Sequence, residues 1–321
     1  MKKTIKMIGM VCLMGAFAFL GSSCKKEKTE TATIRVSMPA VEEMDVDGGR
    51  AYIDYGDHKK FKWSDGDIIM VYNLNNDDYT KSIRHEYVLY NGADEEYADF
   101  TGHTMGAMQS SFYAFYPSSK VIDHEIGPRN SQTFDVPASQ DYNVDCMDPT
   151  SLVMAAKGET IPQGNYNLKH IFGFANIKLK GNQAVDKIVI KDNVFNLNGN
   201  VTVDLPKVDE ANLAALTIAC GAEDQAQFED MIDAVLHGEN GMNYNSEPGD
   251  NTMTLNCGGV QLSESSYTNF IITLRPGALR KGFKVYVYYE GQQEPDEFLN
   301  FNAPDKSYCV KPAYLKNYKL N

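Results

Sequence analysis

The chain lacks the short motifs that mark common catalytic and nucleotide-binding sites. It contains no P-loop, no G-x-G-x-x-G fingerprint and no G-x-S-x-G nucleophile elbow. The pairs His85-Glu86 and His124-Glu125 begin an H-E-x-x-H pattern, but neither has the second histidine that a zinc protease needs. The six histidines are scattered along the chain, whereas ligand histidines need partners. We therefore predict no catalytic residue, no cofactor and no metal site.

Basic residues are in the minority. The chain has 30 Lys and Arg against 43 Asp and Glu, for a net charge of −13. This excess argues against nucleic acid as a partner, since phosphate contacts require Lys and Arg. The acidic residues cluster in turns, although a hydrolase that uses a carboxylate pair stays open. The stretch 192–199 faintly resembles a calcium loop, but Val194 and Val203 occupy positions that need oxygen ligands, so an EF-hand is rejected.

Cysteines are few and none forms a C-x-x-C pair. Cys12 lies in the apolar stretch near the N-terminus, and Cys24 follows it. The other four are far apart, which does not match the closely spaced ligands of a zinc site. Disulfides and buried free thiols both stay open for them. These four residues are Cys146, Cys220, Cys257 and Cys309.

One apolar run stands out, from Met7 to Leu20, after three lysines in residues 1–6. It ends in small residues and Cys24, which predicts a bacterial lipoprotein signal peptide over residues 1–23 with Cys24 lipidated. An ordinary signal peptide and a single membrane helix are the alternatives, although the run is short for a membrane span. Residues 24–32 are mostly polar and predict a flexible tether.

Beyond residue 32 the pattern is that of β-strands. Thr33–Met38 and Phe283–Tyr289 alternate in the manner of half-buried strands, and Gly, Asn, Asp and Pro separate many similar short runs. The segment Glu223–Leu236 instead has apolar residues at helical spacing and predicts one short helix. Strands interrupted near residues 157–163 predict two all-β domains, 33–160 and 161–321.

Several short motifs, taken in their order along the chain, resemble those of a known family. Arg50-Ala51-Tyr52-Ile53 is followed by Phe61-Lys62-Trp63-Ser64-Asp65-Gly66-Asp67, then by Phe100-Thr101-Gly102 and Tyr116-Pro117. Gln140, the stretch from Asp148-Pro149 to Met154-Ala155, and Asn167-Leu168-Lys169-His170 come later in the same order. This arrangement resembles the fimbrillin family, the lipoprotein pilin subunits of type V pili on Gram-negative gut and oral bacteria.

The resemblance implies a pair of transthyretin-like β-sandwich domains and assembly by strand exchange. In the family, a protease cuts after an arginine in an N-terminal segment, and the strand before the cut leaves. Arg50, before Ala51, is our candidate cut site because Gly48 and Gly49 make that bond accessible; the alternative is that Arg50 is merely a solvated loop residue. Thr33–Met38 would be the strand removed. Arg35 is the poorer candidate because it lies within that strand, and Val310–Leu320 is a weak candidate for the donor strand, since Pro312 interrupts it.

The expected function is that of a non-enzymatic pilus subunit at the outer membrane and cell surface, serving adhesion as part of a fimbrium. Its partners would be other pilus subunits in head-to-tail contact, the outer membrane through the lipid, and a surface ligand of a host or another bacterium. Stalk, tip and anchor roles share these domains. The alternative is an outer-membrane surface lipoprotein that binds glycans through exposed aromatic residues, of which tyrosine supplies 19, and never polymerises.

Overall fold

A computed structural model describes most of the chain after residue 30. The described residues are 31–37, 42–44, 50–52, 63–75, 83–93, 95, 97–103, 110–118, 131–144, 147–158, 165–204, 215, 230–231, 234, 245–246, 250–301, 309–310 and 314–320. Nearly all of them belong to strands or to the turns between strands, which confirms the predicted all-β class. No helix among these residues is long and apolar enough to cross a membrane. The predicted signal peptide lies outside them.

The first sheet has eight strands, most of them from the N-terminal half of the chain. In spatial order its strands are β11 (Asn165–Asn167), β1 (Thr31–Ser37), β6 (Tyr97–His103), β5 (Ile83–Asn91), β4 (Ile68–Asn75), β7 (Ser110–Tyr116), β10 (Met154–Gly158) and β12 (Lys169–His170). β1 begins at Thr31, inside the predicted tether. The sheet encloses a buried cluster, here called the first core, that includes Trp63, Phe100 and Tyr166.

The remaining strands form three sheets around a second cluster, here called the main core. The second sheet contains β18 (Thr268–Leu274), β13 (Gly173–Leu179), β21 (Tyr314–Lys319), β2 (Glu42–Met44) and β3 (Arg50–Tyr52). The third contains β20 (Asp296–Phe301), β19 (Phe283–Tyr289), β14 (Ala184–Asp192), β17 (Thr252–Gln261) and β9 (Ser139–Asp141). The fourth contains β16 (Asn245–Ser246), β15 (Gly199–Asp204) and β8 (Ser131–Val136).

Alternating apolar residues hold the second and third sheets together. β19 has the predicted bounds, and its residues alternate between buried and half-buried along the whole strand. Ile188 of β14 and Ile272 of β18 belong to the same buried cluster. The outer faces of β4 and β7 contribute Tyr72 and Phe115 to the main core as well. One hydrophobic cluster therefore joins the eight-stranded sheet to the other three.

Strand pairing crosses the predicted domain boundary near residue 160 in both directions. β8 and β9 precede it, yet they pair with β15 and β17 of the C-terminal half. β11 and β12 follow it, yet they pair with β1 and β10 of the first sheet. The boundary itself stays a prediction. In the predicted helical stretch, only Asp230, Met231 and Ala234 are described, and these three are helical.

The first sheet curls until β10, the strand next to one end, contacts β11 at the other end through Gly158 and Tyr166. A Cβ atom added at Gly158 of β10 would collide with the ring of Tyr166 in β11. We predict that Gly158→Ala lowers the free energy of unfolding by about 1–3 kcal/mol, because overpacking forces the ring or the backbone to move. Chemical denaturation measures the change.

The same substitution in a Tyr166→Leu background is the matched control. The smaller side chain leaves room for the methyl group, so the two changes should be strongly non-additive. A full cost for Gly158→Ala in both backgrounds would show that this contact does not limit the substitution.

Candidate functional site

Strand β1 is an interior strand, although it lies close to the start of the described chain. It pairs antiparallel with β6 from Thr31 opposite His103 to Ser37 opposite Tyr97. On its other side it pairs in parallel with β11, from Arg35 opposite Asn165 to Ser37 opposite Asn167. The backbone groups of β1 therefore complete two hydrogen-bonded ladders. Without β1, the facing edges of β6 and β11 would be unpaired.

The inner face of β1 is part of the first core. Ala32, Ile34 and Val36 are at most 3% exposed, whereas the residues between them are exposed. This alternation is the one that the sequence predicts for Thr33–Met38. Beneath the strand lie aromatic side chains of the same cluster, with the Trp63 and Phe100 rings edge to face and 4.7 Å apart. Loss of β1 would expose these aromatic side chains of the first core to water.

Polar contacts on the outer face fix the register of β1. The guanidinium of Arg35 donates from Nε to Oδ1 of Asp99 at 2.9 Å and from a terminal nitrogen to Oδ2 at 3.2 Å. These hydrogen bonds raise the pKa of Arg35 and lower the pKa of Asp99. Ser37 Oγ donates to Oδ1 of Asn167 at 2.7 Å. Because the Arg35–Asp99 ion pair is exposed to solvent, it contributes to the register of β1 more than to the stability of the fold.

The two candidate cut sites differ in their backbone environment. Arg35 lies within β1, with strands paired on both sides. Arg50 begins β3, which pairs only with β2 among the described strands and ends the second sheet. The structure thus places Arg50 and Ala51 in an edge strand, whereas the flanking glycines predicted a loop. Gly48 and Gly49 lie outside the described residues. Cleavage after Arg50 stays a prediction.

The suggested donor segment, Val310–Leu320, contains β21, which lies inside the second sheet. β21 runs parallel to β13 and parallel to β2. Leu315 is fully buried, and the Asn176 amide of β13 donates to Oδ1 of Asn317 at 2.8 Å. The strand is therefore an integral part of its own subunit in this form, and it could serve another subunit only after leaving the sheet.

The residues that carry the family resemblance have structural tasks here. Asp67 Oδ2 accepts the backbone N–H of Ser64 at 2.7 Å and closes the predicted turn, while Oδ1 accepts the Tyr116 hydroxyl at 2.8 Å. Gln140 exchanges two hydrogen bonds with the backbone of Thr273 in β18. Asp67 thus stabilises a turn, and Gln140 connects the N-terminal and C-terminal halves of the chain. These contacts explain why an Asp and a Gln occur at these two positions.

Other residues considered from the sequence do not come together as a chemical centre. No group of three or more His, Cys, Asp or Glu side chains that could hold a metal occurs in the described part of the chain. The carboxylate of Asp192 accepts the backbone N–H groups of Val194, Phe195 and Leu279. His85 and His103 lie with ring centroids 5.2 Å apart, and desolvation lowers the pKa of His85. Three further histidines lie outside the described residues: His58, His124 and His237.

The described cysteines are structural in character. Cys257 and Cys309 are both buried, and burial raises the pKa of the Cys257 thiol to about 12. A thiol with so high a pKa is a poor nucleophile at neutral pH. Cys24, Cys146 and Cys220 lie outside the described residues, so lipidation of Cys24 stays a prediction.

Comparison with known proteins shows the fold. No protein-family model and no curated protein matches the chain. A crystal structure of a "putative cell adhesion protein" from Bacteroides uniformis superposes with a TM-score of 0.50 at 14% identity, covering 92% of this chain and 94% of that one. A cell adhesion protein of the same description from Bacteroides ovatus gives 0.44 at 12% identity, covering 90% and 92%.

The tip fimbrial protein Mfa3 from Porphyromonas gingivalis, with a C-terminal truncation, gives a TM-score of 0.37 at 9% identity, covering 90% of this chain and 94% of that one. The Bacteroides uniformis superposition, at the higher TM-score, spans nearly the whole of both chains. At this identity the likeness concerns the fold, and it agrees with the resemblance that the sequence motifs indicate.

Proposed function

We propose that this chain, whose fold is that of the Bacteroides uniformis protein, is a subunit of a surface fimbrium. In this proposal it is exported as a lipoprotein through Cys24, anchored in the outer membrane, cut after Arg50 and assembled by strand exchange. The observation that carries the proposal is the position of β1, which precedes Arg50 in the chain and closes the first sheet between β6 and β11. No residue is assigned a catalytic role.

Strand exchange follows from what removal of β1 would leave behind. The edge of β6 would lose a seven-residue ladder, and the edge of β11 would lose a three-residue ladder. The floor of the groove would be the aromatic first core. Unpaired backbone groups above an apolar floor bind an extended chain that has apolar residues at alternate positions. A strand from a second copy, or from a related subunit, fits this chemistry.

Assembly of this type builds a filament. The groove and the donated strand belong to different parts of the subunit, so each contact is head-to-tail and does not close on itself. Adhesion to host or bacterial surfaces would then be a property of the assembled fimbrium. The acidic balance of the chain, −13 overall, keeps it away from nucleic acid and from anionic lipid except through an anchor.

The test uses purified protein that begins at residue 25 and so keeps every described residue. Limited digestion with an Arg-specific protease should cut after Arg50, and intact mass should show loss of the peptide 25–50. A ladder of oligomers should follow on size-exclusion chromatography. The Arg50→Gln variant should stay uncut and monomeric under the same conditions.

Protein that is cut after Arg50, loses the peptide and stays monomeric would contradict polymerisation. The glycan-binding alternative would then gain support, because Tyr90 and Tyr97 are 75% and 60% exposed at neighbouring strand ends of the first sheet. Exposed aromatic rings can stack on sugars. A rise in melting temperature with a glycan, lost in Tyr90→Ser with Tyr97→Ser, would identify that function.

A further inference from the structure

We infer that the segment ending at Arg50 supplies a strand to each of two sheets. A single cut after Arg50 would then both open the acceptor groove in the first sheet and loosen the donor strand, β21, in the second sheet of the same subunit. This inference rests on the proposed function. β1 fills the first sheet, and β2, five residues further along the chain, pairs with β21 in the second sheet. Both strands precede Arg50.

β2 is what makes β21 an interior strand. Its register runs from Glu42 opposite Tyr314 to Met44 opposite Lys316. β3 follows on the outside and pairs only with β2 among the described strands. If the chain is cut after Arg50 and the excised segment departs, β2 is lost, and β3 loses the partner that holds it. The second sheet then ends at β21.

Loss of β2 leaves β21 paired on one side only. The remaining ladder joins Phe174–Lys178 of β13 to Leu315–Lys319. An edge strand exchanges and opens at a lower free energy than a strand bonded on both sides, and β21 has lost the three-residue ladder that joined it to β2. β21 therefore becomes the element of the second sheet that is easiest to peel away.

The sequence of β21 suits a strand that is transferred. Tyr318 of β21 and Leu320, directly after the strand, are buried with the same spacing as Ile34 and Val36 in β1, while Leu315 and Asn317 are buried on the other face of the strand. After the cut, β13 still pairs with one edge of β21, so only the opposite edge of the strand is unpaired before transfer. β2 would act as a clamp that keeps the donor in place until the protease has also prepared the acceptor.

The coupling prevents two faulty states. A subunit with a released donor but a filled groove would add to a filament and then end it. A subunit with an open groove but a clamped donor would also stop growth, on the opposite side. Because β1 and β2 lie on one peptide that ends at Arg50, a cut after Arg50 removes both strands together, and without the cut both stay in place.

Two cut positions separate the effect of losing β2 from the effect of losing β1. In the first protein, residue 25 onward with native Arg50, the cut removes β1 and β2 together. In the second, Ala40→Arg with Arg50→Gln, the cut falls between β1 and β2 and removes β1 alone. Each cut protein is passed over a sizing column in urea below its unfolding transition, and mass spectrometry establishes that the excised peptide has gone.

Hydrogen exchange of the amides of 314–320 is then compared with that of the uncut protein, using the monomeric fraction of each cut protein before a ladder forms. The cut after Arg50 should speed their exchange by about tenfold or more, whereas the cut after position 40 should leave it unchanged. Amides of 97–103 in β6 should lose protection in both proteins, which reports the opened groove in each. Ladder formation should occur only after the cut at Arg50.

The outcomes for the inference and for the proposed function differ. Equal exchange rates of 314–320 in the two cut proteins would overturn the clamp, even if both polymerise. Faster exchange only after the cut at Arg50, without any ladder, would support the clamp and contradict polymerisation by this subunit alone.

Discussion

Replacing Ile34 with alanine should lower the free energy of unfolding of the uncut protein by about 2–5 kcal/mol. Ile34 is 1% exposed and lies at the middle of β1, above the aromatic first core. Truncation removes its transfer free energy and leaves a cavity in a cluster that cannot collapse freely, because strands on both sides hold the backbone in place. Urea denaturation followed by tyrosine and tryptophan fluorescence measures the change.

The neighbouring residue supplies the control. Thr33 is exposed on the opposite face of the same strand, so Thr33→Ala should change the unfolding free energy by no more than about 0.5 kcal/mol. A large cost for Thr33→Ala would show that β1 tolerates no change at all, and the Ile34 result would then say nothing of the core.

The same variant also tests whether β1 leaves. After a cut at Arg50 and loss of the peptide, the body of the protein no longer contains residue 34, and the wild-type and Ile34→Ala bodies become identical. Their unfolding midpoints should then coincide. A difference that persists after cutting would show that the excised segment stays bound in the groove, which would contradict strand exchange under those conditions.

The long alternating strands were predictable from sequence, and the reason is physical. β1 and β19 bury one face against a core and expose the other, so each reads as a period of two. Burial follows that alternation in both strands. The Ser64–Asp67 turn was likewise predictable, since a positive φ of 87° at Gly66 is tolerated by glycine.

The short strands could not be predicted in this way. β2, β3, β9 and β11 have three residues each, which is too few for a period to appear. Their conformation is set by the partner that lies beside them. The partners of β2, β9 and β11 are distant in the sequence, namely β21, β17 and β1, whereas β3 pairs with the nearby β2. The clamp of β2 on β21 joins residues more than 250 positions apart, so no local pattern indicates it.

The candidate site was predicted in part. The apolar alternation marked β1, and the family resemblance, with the glycines beside it, drew attention to Arg50. What the sequence did not indicate is that Arg50 lies in a strand at the edge of the second sheet. The sequence likewise did not indicate which strands pair across the predicted domain boundary. β8 and β9 pair with strands that follow it, and β11 and β12 pair with strands that precede it.

Acidification should destabilise the protein through His170. This residue is 1% exposed in β12, opposite Met154 of β10, with its ring edge-on to Phe174 at a centroid distance of 5.1 Å. Burial lowers its pKa from 6.5 to about 3. A histidine whose folded-state pKa is depressed binds a proton more readily when the chain is unfolded, so unfolding takes up a proton below the ordinary pKa.

The pH window follows from the two pKa values. The contribution of neutral His170 is fully present above pH 6.5 and is lost as the pH falls toward about 3. At pH 4.5 the loss amounts to about 2–3 kcal/mol, since each unit of pKa difference corresponds to about 1.4 kcal/mol. Denaturation curves at intervals between pH 7.5 and 4.5 give the slope.

Two variants without a titrating group separate the proton from the packing. His170→Gln keeps a polar side chain and His170→Phe keeps a ring, so their stabilities at pH 7.5 will differ from each other. Both should nevertheless lose the same amount of pH dependence relative to the native protein, because both lack the proton that unfolding takes up. The acidic residues titrate in all three proteins, and subtraction removes their shared contribution. If the slope between pH 6.5 and 4.5 is the same in all three proteins, the buried ring is not the source of the acid sensitivity, and the carboxylates, 43 in the whole chain, account for it instead.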